Sequence, residues 1–176
     1  MCIRDRSLLA QVDGLVLVSP RMTDTDLRRL AGESSRLVLV NRRPSGVTLP
    51  TIAVDAFAAT MKVCGHLVGL GHREAVYLSG PPAAWQEQQR WQALTHAGAF
   101  GLTATRLAAG STVDDGYRVA DEALATGASS IVAFNDLLAI GVLHRLLELG
   151  VDVPGQVSLT GADDIPFAAC LRPGLT

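Results

Sequence analysis

Seven short aliphatic runs alternate with longer amphipathic segments from Val12 onward, and this alternation most restricts the folds open to the chain. The runs 14–18, 36–40, 51–54, 75–78 and 130–134 are mostly β-branched or aliphatic with little polar alternation, and 105–108 and 157–160 are short runs with polar residues among them. Strands of that kind are buried on both faces, which demands a parallel sheet covered by helices on each side. The intervening segments supply the helices: 26–31 with Thr23 or Asp24 as its cap, 56–70, 85–97, 113–125 and 136–149. Phe57, Met61, Cys64 and Val68 share one face of the second helix. Glycines at 71, 98 or 101, 127 and 150 stand where helix ends need positive φ. The expected fold class is α/β, an open parallel sheet flanked by helices.

At 176 residues, 48% of them hydrophobic, the chain suits one full domain or a domain plus part of another. A net charge of −2 and a single lysine, Lys62, argue against a nucleic-acid surface on this polypeptide. No apolar run approaches the roughly 18 residues of a membrane helix, so no membrane partner is expected. Cys2, Cys64 and Cys170 are scattered and outside any metal-binding spacing, which fits a reducing, cytoplasmic setting and no metal or disulfide. His66 and His72 fall on opposite sides of the Gly71 helix stop and take surface or capping roles. Residues 1–11 are read as a leader whose first seven residues match nothing in the later pattern and are taken as non-native.

In open parallel sheets, ligands bind beyond the carboxyl ends of the strands. The residues there are Ser19, Asn41, Asp55, Ser79, Asn135 and Asp163. Each alone is an ordinary turn former or helix cap, but as a set they line one edge as a polar cleft. No nucleophile elbow or phosphate loop accompanies them, so no enzyme and no cofactor is expected. Amides and carboxylates with a guanidinium and an aromatic suit a neutral polyol. Asn and Asp exchange hydrogen bonds with vicinal hydroxyls, Arg90 donates a planar fork, and Trp85 packs an apolar ring face. Plain helix packing is the competing reading of Trp85. Asp114–Asp115 complements a helix dipole, and Arg42–Arg43 reads as a solvated loop, with a hinge or cleft contact as the alternative.

Leu78-Ser-Gly-Pro-Pro82 followed by Trp85 and Arg90, Phe134-Asn-Asp-Leu-Leu-Ala-Ile-Gly141 and the block from Val153 to Pro166 resemble the lactose-repressor (LacI/GalR-type) family of transcription regulators. Leu39-Val-Asn-Arg42, Leu67 to Arg73 and Pro173-Gly-Leu-Thr176 fit the same pattern in the same order. The resemblance implies a periplasmic-binding-protein-like effector domain of two α/β subdomains with a ligand cleft between them. Residues 12–55 would be a remnant of the N-terminal subdomain, and 56–176 most of the C-terminal one. It further implies Asn41, Trp85, Arg90, Asn135 and Asp163 as effector contacts, a homodimer in the intact protein, and operator DNA bound through a headpiece absent from this chain. Asp55-Ala56 and Gly161-Ala162 depart from the family pattern. A periplasmic sugar-binding protein of a transport system shares the architecture and stands as the alternative, with an α/β enzyme third.

Overall fold

The computed structural model describes residues 11–33 and 36–175; of the leader read over 1–11, only Gln11 lies within them. The described residues divide into two compact units. One gathers the chain through Asp55 together with Ala83–Gln88, and the other Ala56–Pro82 together with the chain from Gln89 onward.

In the first unit, β1 (Leu15–Val18), β2 (Leu37–Val40) and β3 (Thr51–Ile52) form a parallel sheet in that order. Helix α1 (Asp24–Glu33) buries Leu27 and Leu30, and β2 buries Leu37 and Leu39. Val16, Val18 and Ile52 stay exposed, so the pleat of β1 alternates where full burial was expected. Thr23 caps α1, its hydroxyl accepting the Asp26 N–H at 3.1 Å. That leaves Asp24 free for another partner. Its carboxylate takes Arg42 Nη2 at 2.7 Å on one oxygen and the Ser45 N–H at 3.0 Å on the other. Arg42 is therefore buried, correcting the solvated-loop reading of the Arg42–Arg43 pair, whereas Arg43 is exposed. A carboxylate on a neighbouring helix start compensates the desolvation of the guanidinium, and that pairing over 18 residues is not written in local sequence.

The second unit contains a four-stranded parallel sheet ordered β5-β4-β6-β7, from β4 (Glu74–Ser79), β5 (Thr103–Ala108), β6 (Ser130–Ala133) and β7 (Ser158–Thr160). Helices α2 (Ala56–Gly69) and α3 (Trp85–Ala97) cover one face. There Cys64, Leu67, Leu94 and Ala97 pack with Ala75, Tyr77 and Val132. Burial of Cys64 pushes its thiol up to about 11, which leaves it an inert core side chain. Ala56, Thr60, Cys64 and Leu67 form the buried stripe of α2. Phe57, expected on that stripe, instead meets His96 edge-on at 5.4 Å between ring centres. Strand alternation turns Val76 and Leu78 to the opposite face, which α4 (Val113–Ala125) and α5 (Asp136–Glu148) cover. At the amino ends of the strands, His72 accepts or donates to two serine hydroxyls, Ser129 at 2.7 Å and Ser158 at 2.9 Å. This tie between β7 and the residue before β6 adds to the surface or capping role expected of His72, whose N–H also donates to the Leu67 carbonyl at the end of α2, 3.0 Å away.

Helix α4 begins in a capping box: Thr112 Oγ1 accepts the Asp115 N–H at 3.1 Å while Asp115 accepts the Thr112 N–H at 3.1 Å. The Thr112 hydroxyl, and then the Ser111 and Thr112 N–H groups, hold the Asp115 carboxyl below its ordinary value. Thr112→Ala is expected to cost about 1 kcal/mol, read as a lower denaturation midpoint in urea.

The order β5-β4-β6-β7 reverses direction between β4 and β6. Such a reversal opens a crevice beyond the carboxyl ends of those two strands, because their connections leave to opposite faces. Arg90, Asn135 and Asp163 of the second unit lie at that end.

Candidate functional site

Strand β6 ends at Ala133, and the next two residues build the floor of the crevice. Phe134 is buried, with its ring against the turn after β4: a Cβ on Gly80 would stand 2.4 Å from it. Only glycine allows that approach. Arg90, on the second turn of α3, lies over the Phe134 ring, its guanidinium carbon 4.6 Å from the ring centre. Its Nη1 donates to the Phe134 carbonyl, and its Nη2 lies 3.6 Å from Asp163 Oδ1. Arg90 is buried, so the ring, the carbonyl and the carboxylate fix its direction before any ligand arrives.

Asn135 caps α5. Its Oδ1 accepts the Leu138 N–H at 2.9 Å and its Nδ2 donates to the Ser111 carbonyl at 3.1 Å. The capping role that residue type predicts is thus real, and the side chain is at the same time anchored at the strand end. Asp163, three residues past β7, holds φ 106° and is followed by Asp164 at φ 52°. Half of the Asp163 side chain is exposed. Burial of the other half raises its carboxyl above the ordinary value; Arg90 opposes that shift and Asp136 adds to it. The structure therefore brings Arg90, Asn135 and Asp163 to one end of one sheet.

Asn41 and Trp85 belong to the first unit. Asn41 ends β2 in the left-handed region at φ 55°, and its Oδ1 accepts the Val54 N–H at 3.1 Å. Asparagine tolerates that conformation, which explains the residue type at this strand end. Trp85 opens α3 and is half-buried. A hollow of about 330 Å³ lies beside the ends of β4 and β5, lined by Ser79, Gly80, Pro81, Pro82, Arg106 and Gly110. Its size is at the low end for small-ligand sites, and none of the five expected contact residues lines it.

Sequence reasoning missed Phe134, Gly80 and Asp136 as parts of this arrangement. Phe134 reads as one more apolar strand residue, and its partnership with Gly80 and Arg90 spans 54 and 44 positions. No group of three or more His, Cys, Asp or Glu with metal-holding geometry occurs among the described residues. Nor, among them, is any helix long and apolar enough to cross a membrane.

A crevice at the switch point of a doubly wound sheet is the place where α/β proteins of this class bind small molecules. The chain belongs to the periplasmic binding protein-like domain family, whose model matches residues 64–176. Its similarities run to LacI/GalR-type transcription regulators. It is 32% identical to the HTH-type transcriptional regulator MalR of Streptomyces coelicolor, over 94% of this chain and 52% of MalR. It is 31% identical to the HTH-type transcriptional regulator GalR of Escherichia coli, over 92% of this chain and 49% of GalR. The crystal structure of a LacI transcriptional regulator from a Rhodococcus species superposes with a TM-score of 0.83 at 27% identity, covering 96% of this chain and 64% of that one. The chain spans about half the length of the curated relatives it matches.

Proposed function

We propose that this chain is the effector-sensing part of a transcriptional regulator, and that its effector is a small uncharged polyhydroxyl compound, a sugar or a close analogue. The arrangement of Arg90 carries the reading. A guanidinium already stacked, hydrogen-bonded and turned toward a half-exposed carboxylate offers a rigid donor–acceptor pair suited to vicinal hydroxyls. Asn135 adds an amide at the same end, and Asn41 and Trp85 contribute the contacts from residues 12–55 and the start of α3. Residues 12–55 are assigned to the N-terminal effector subdomain and 56–176 to the C-terminal one.

In the intact protein, effector binding shifts the population between two conformations and thereby changes operator affinity, through a helix-turn-helix segment outside this chain and in a cytoplasmic homodimer. The regulators it resembles favour this over a transport component. The test is a thermal-shift screen of the full-length protein against D-galactose, D-glucose, maltose and a set of nucleosides. Stabilisation by a sugar is expected; stabilisation by none of them counts against the assignment.

Asp163→Asn separates stability from binding. Asp163 has a folded-state pKa above its unfolded value, so the folded state binds its proton more tightly. The penalty on the carboxylate is absent below the unfolded pKa and grows as pH rises through the folded one. The amide removes that penalty and keeps a residue type that accepts the left-handed conformation. The effector-free variant is expected to melt higher than wild type at neutral pH, with the gap closing in acid. Its affinity for any sugar that stabilises the wild type should fall more than ten-fold in calorimetry.

A further inference from the structure

The turn that carries Asp163 is held by a residue to which no ligand role has been given. Asp136 opens α5 and is 3% exposed. A carboxylate in the first helical turn has an ordinary explanation in the helix dipole. Its bonds, however, run across to the end of β7. The Asp136 N–H donates to the Ala162 carbonyl at 2.8 Å, and Asp136 Oδ2 accepts the Ile165 N–H at 2.9 Å. One residue therefore grips the backbone on both sides of Asp163 and Asp164. Gly161 lies flush on the same side chain: a Cβ there would stand 2.2 Å from Asp136 Oδ1 and 3.2 Å from its Cα. That close approach is the physical reason for a glycine at position 161.

Two successive non-glycine residues with positive φ persist only where the surroundings over-determine them. The grip from Asp136 supplies that determination. We infer that Asp136 is the positioning residue of the effector site: it clasps residues 162–165, fixes Asp163 toward Arg90, and sets a second negative charge behind that carboxylate. The groups facing Asp163 are Arg90 from α3 and Asp136 from α5, with Asp164 beside it in the chain. Asp136 acts on the site through the backbone of residues 162–165, and its functional half rests on the effector reading above.

The experiment uses the full-length regulator with Asp136→Ala and Asp136→Asn. Asparagine can still accept the Ile165 N–H but carries no charge. Hydrogen exchange over residues 161–166 is expected to accelerate at least ten-fold in D136A and to stay near the wild-type rate in D136N. Titration of ¹³C-labelled aspartate carboxyls, with D163N to assign the resonance, is expected to show a lower midpoint for Asp163 in D136N. A pure helix-capping role would leave the exchange of 161–166 at the wild-type rate in D136A, and the Asp163 midpoint reads the neighbouring charge. Unchanged exchange in D136A, or an unmoved midpoint in D136N, overturns the inference. Binding of D-galactose, D-glucose and maltose is measured alongside. If none binds the wild type, the effector reading falls while the clasp is still judged by exchange and titration. If one binds D136A as tightly as wild type, the positioning role is overturned.

Discussion

Alanine at Arg90 is expected to weaken effector binding by more than ten-fold, about 1.4 kcal/mol or more, while the sheet of the second unit stays folded. Three separate contacts disappear at once: the bond to the Phe134 carbonyl, the stacking on the Phe134 ring and the charge opposite Asp163. The carbonyl is left in a buried place without its donor, and the Asp163 carboxylate loses the charge and hydrogen bond that lower its pKa. The Asp163 carboxyl therefore moves further up, and a protonated acid is a poorer partner for a polyol than a carboxylate. Arg90→Lys is expected to lose most of the affinity as well. An ammonium is a point charge and cannot stack flat on a ring while donating in two directions. Calorimetry with a sugar that stabilises the wild type reads both. Wild-type affinity in R90A would sink the site assignment.

The largest expected loss of stability is at Gly141. A Cβ at that position would stand 1.9 Å from the Val113 carbonyl oxygen and 2.7 Å from the Tyr117 nitrogen. From the other side, a Cβ on Gly116 would stand 2.0 Å from the Leu138 carbonyl oxygen. Helices α4 and α5 thus touch backbone to backbone through a reciprocal pair of glycines, and neither obstacle is a side chain that can rotate away. Gly141→Ala must part the helices, which also loosens Val119, Ala120, Leu138 and Val142 beneath them. Overpacking of this kind costs about 3 kcal/mol. The melting temperature should fall by roughly 10 °C on the scale for a domain of this size. Because α5 begins at Asn135 and Asp136, the same variant should lower effector affinity too. A denaturation midpoint equal to wild type would show that the close helix contact is not required.

Much of the fold was legible because it rests on local pattern. The aliphatic runs and helix periods recover every strand and α-helix of the described residues with ends within two residues, whereas the short 3-10 turns Gly98–Phe100 and Ala168–Cys170 were not foreseen. The site was legible in part for the same reason. Asn41, Asn135 and Asp163 follow strands, so their residue types show in sequence as turn and cap chemistry. Arg90 and Trp85 could be named from their helix. What did not show is what each side chain faces. Arg42 looked like a loop residue because its partner Asp24 lies 18 positions away. His72 looked peripheral because its two serines lie 57 and 86 positions away.

By itself the sequence determined the class of fold, the parallel strands and the polar strand ends, since hydrophobic period and turn chemistry act over a few residues. Only the tertiary structure decided which of those ends work together. It set β4 beside β6, packed Phe134 against Gly80 and Arg90, turned Asp163 toward that guanidinium and buried Asp136. Those relations are made by packing between segments tens of residues apart, where short-range preference carries no information and close-packed volume and charge pairing do.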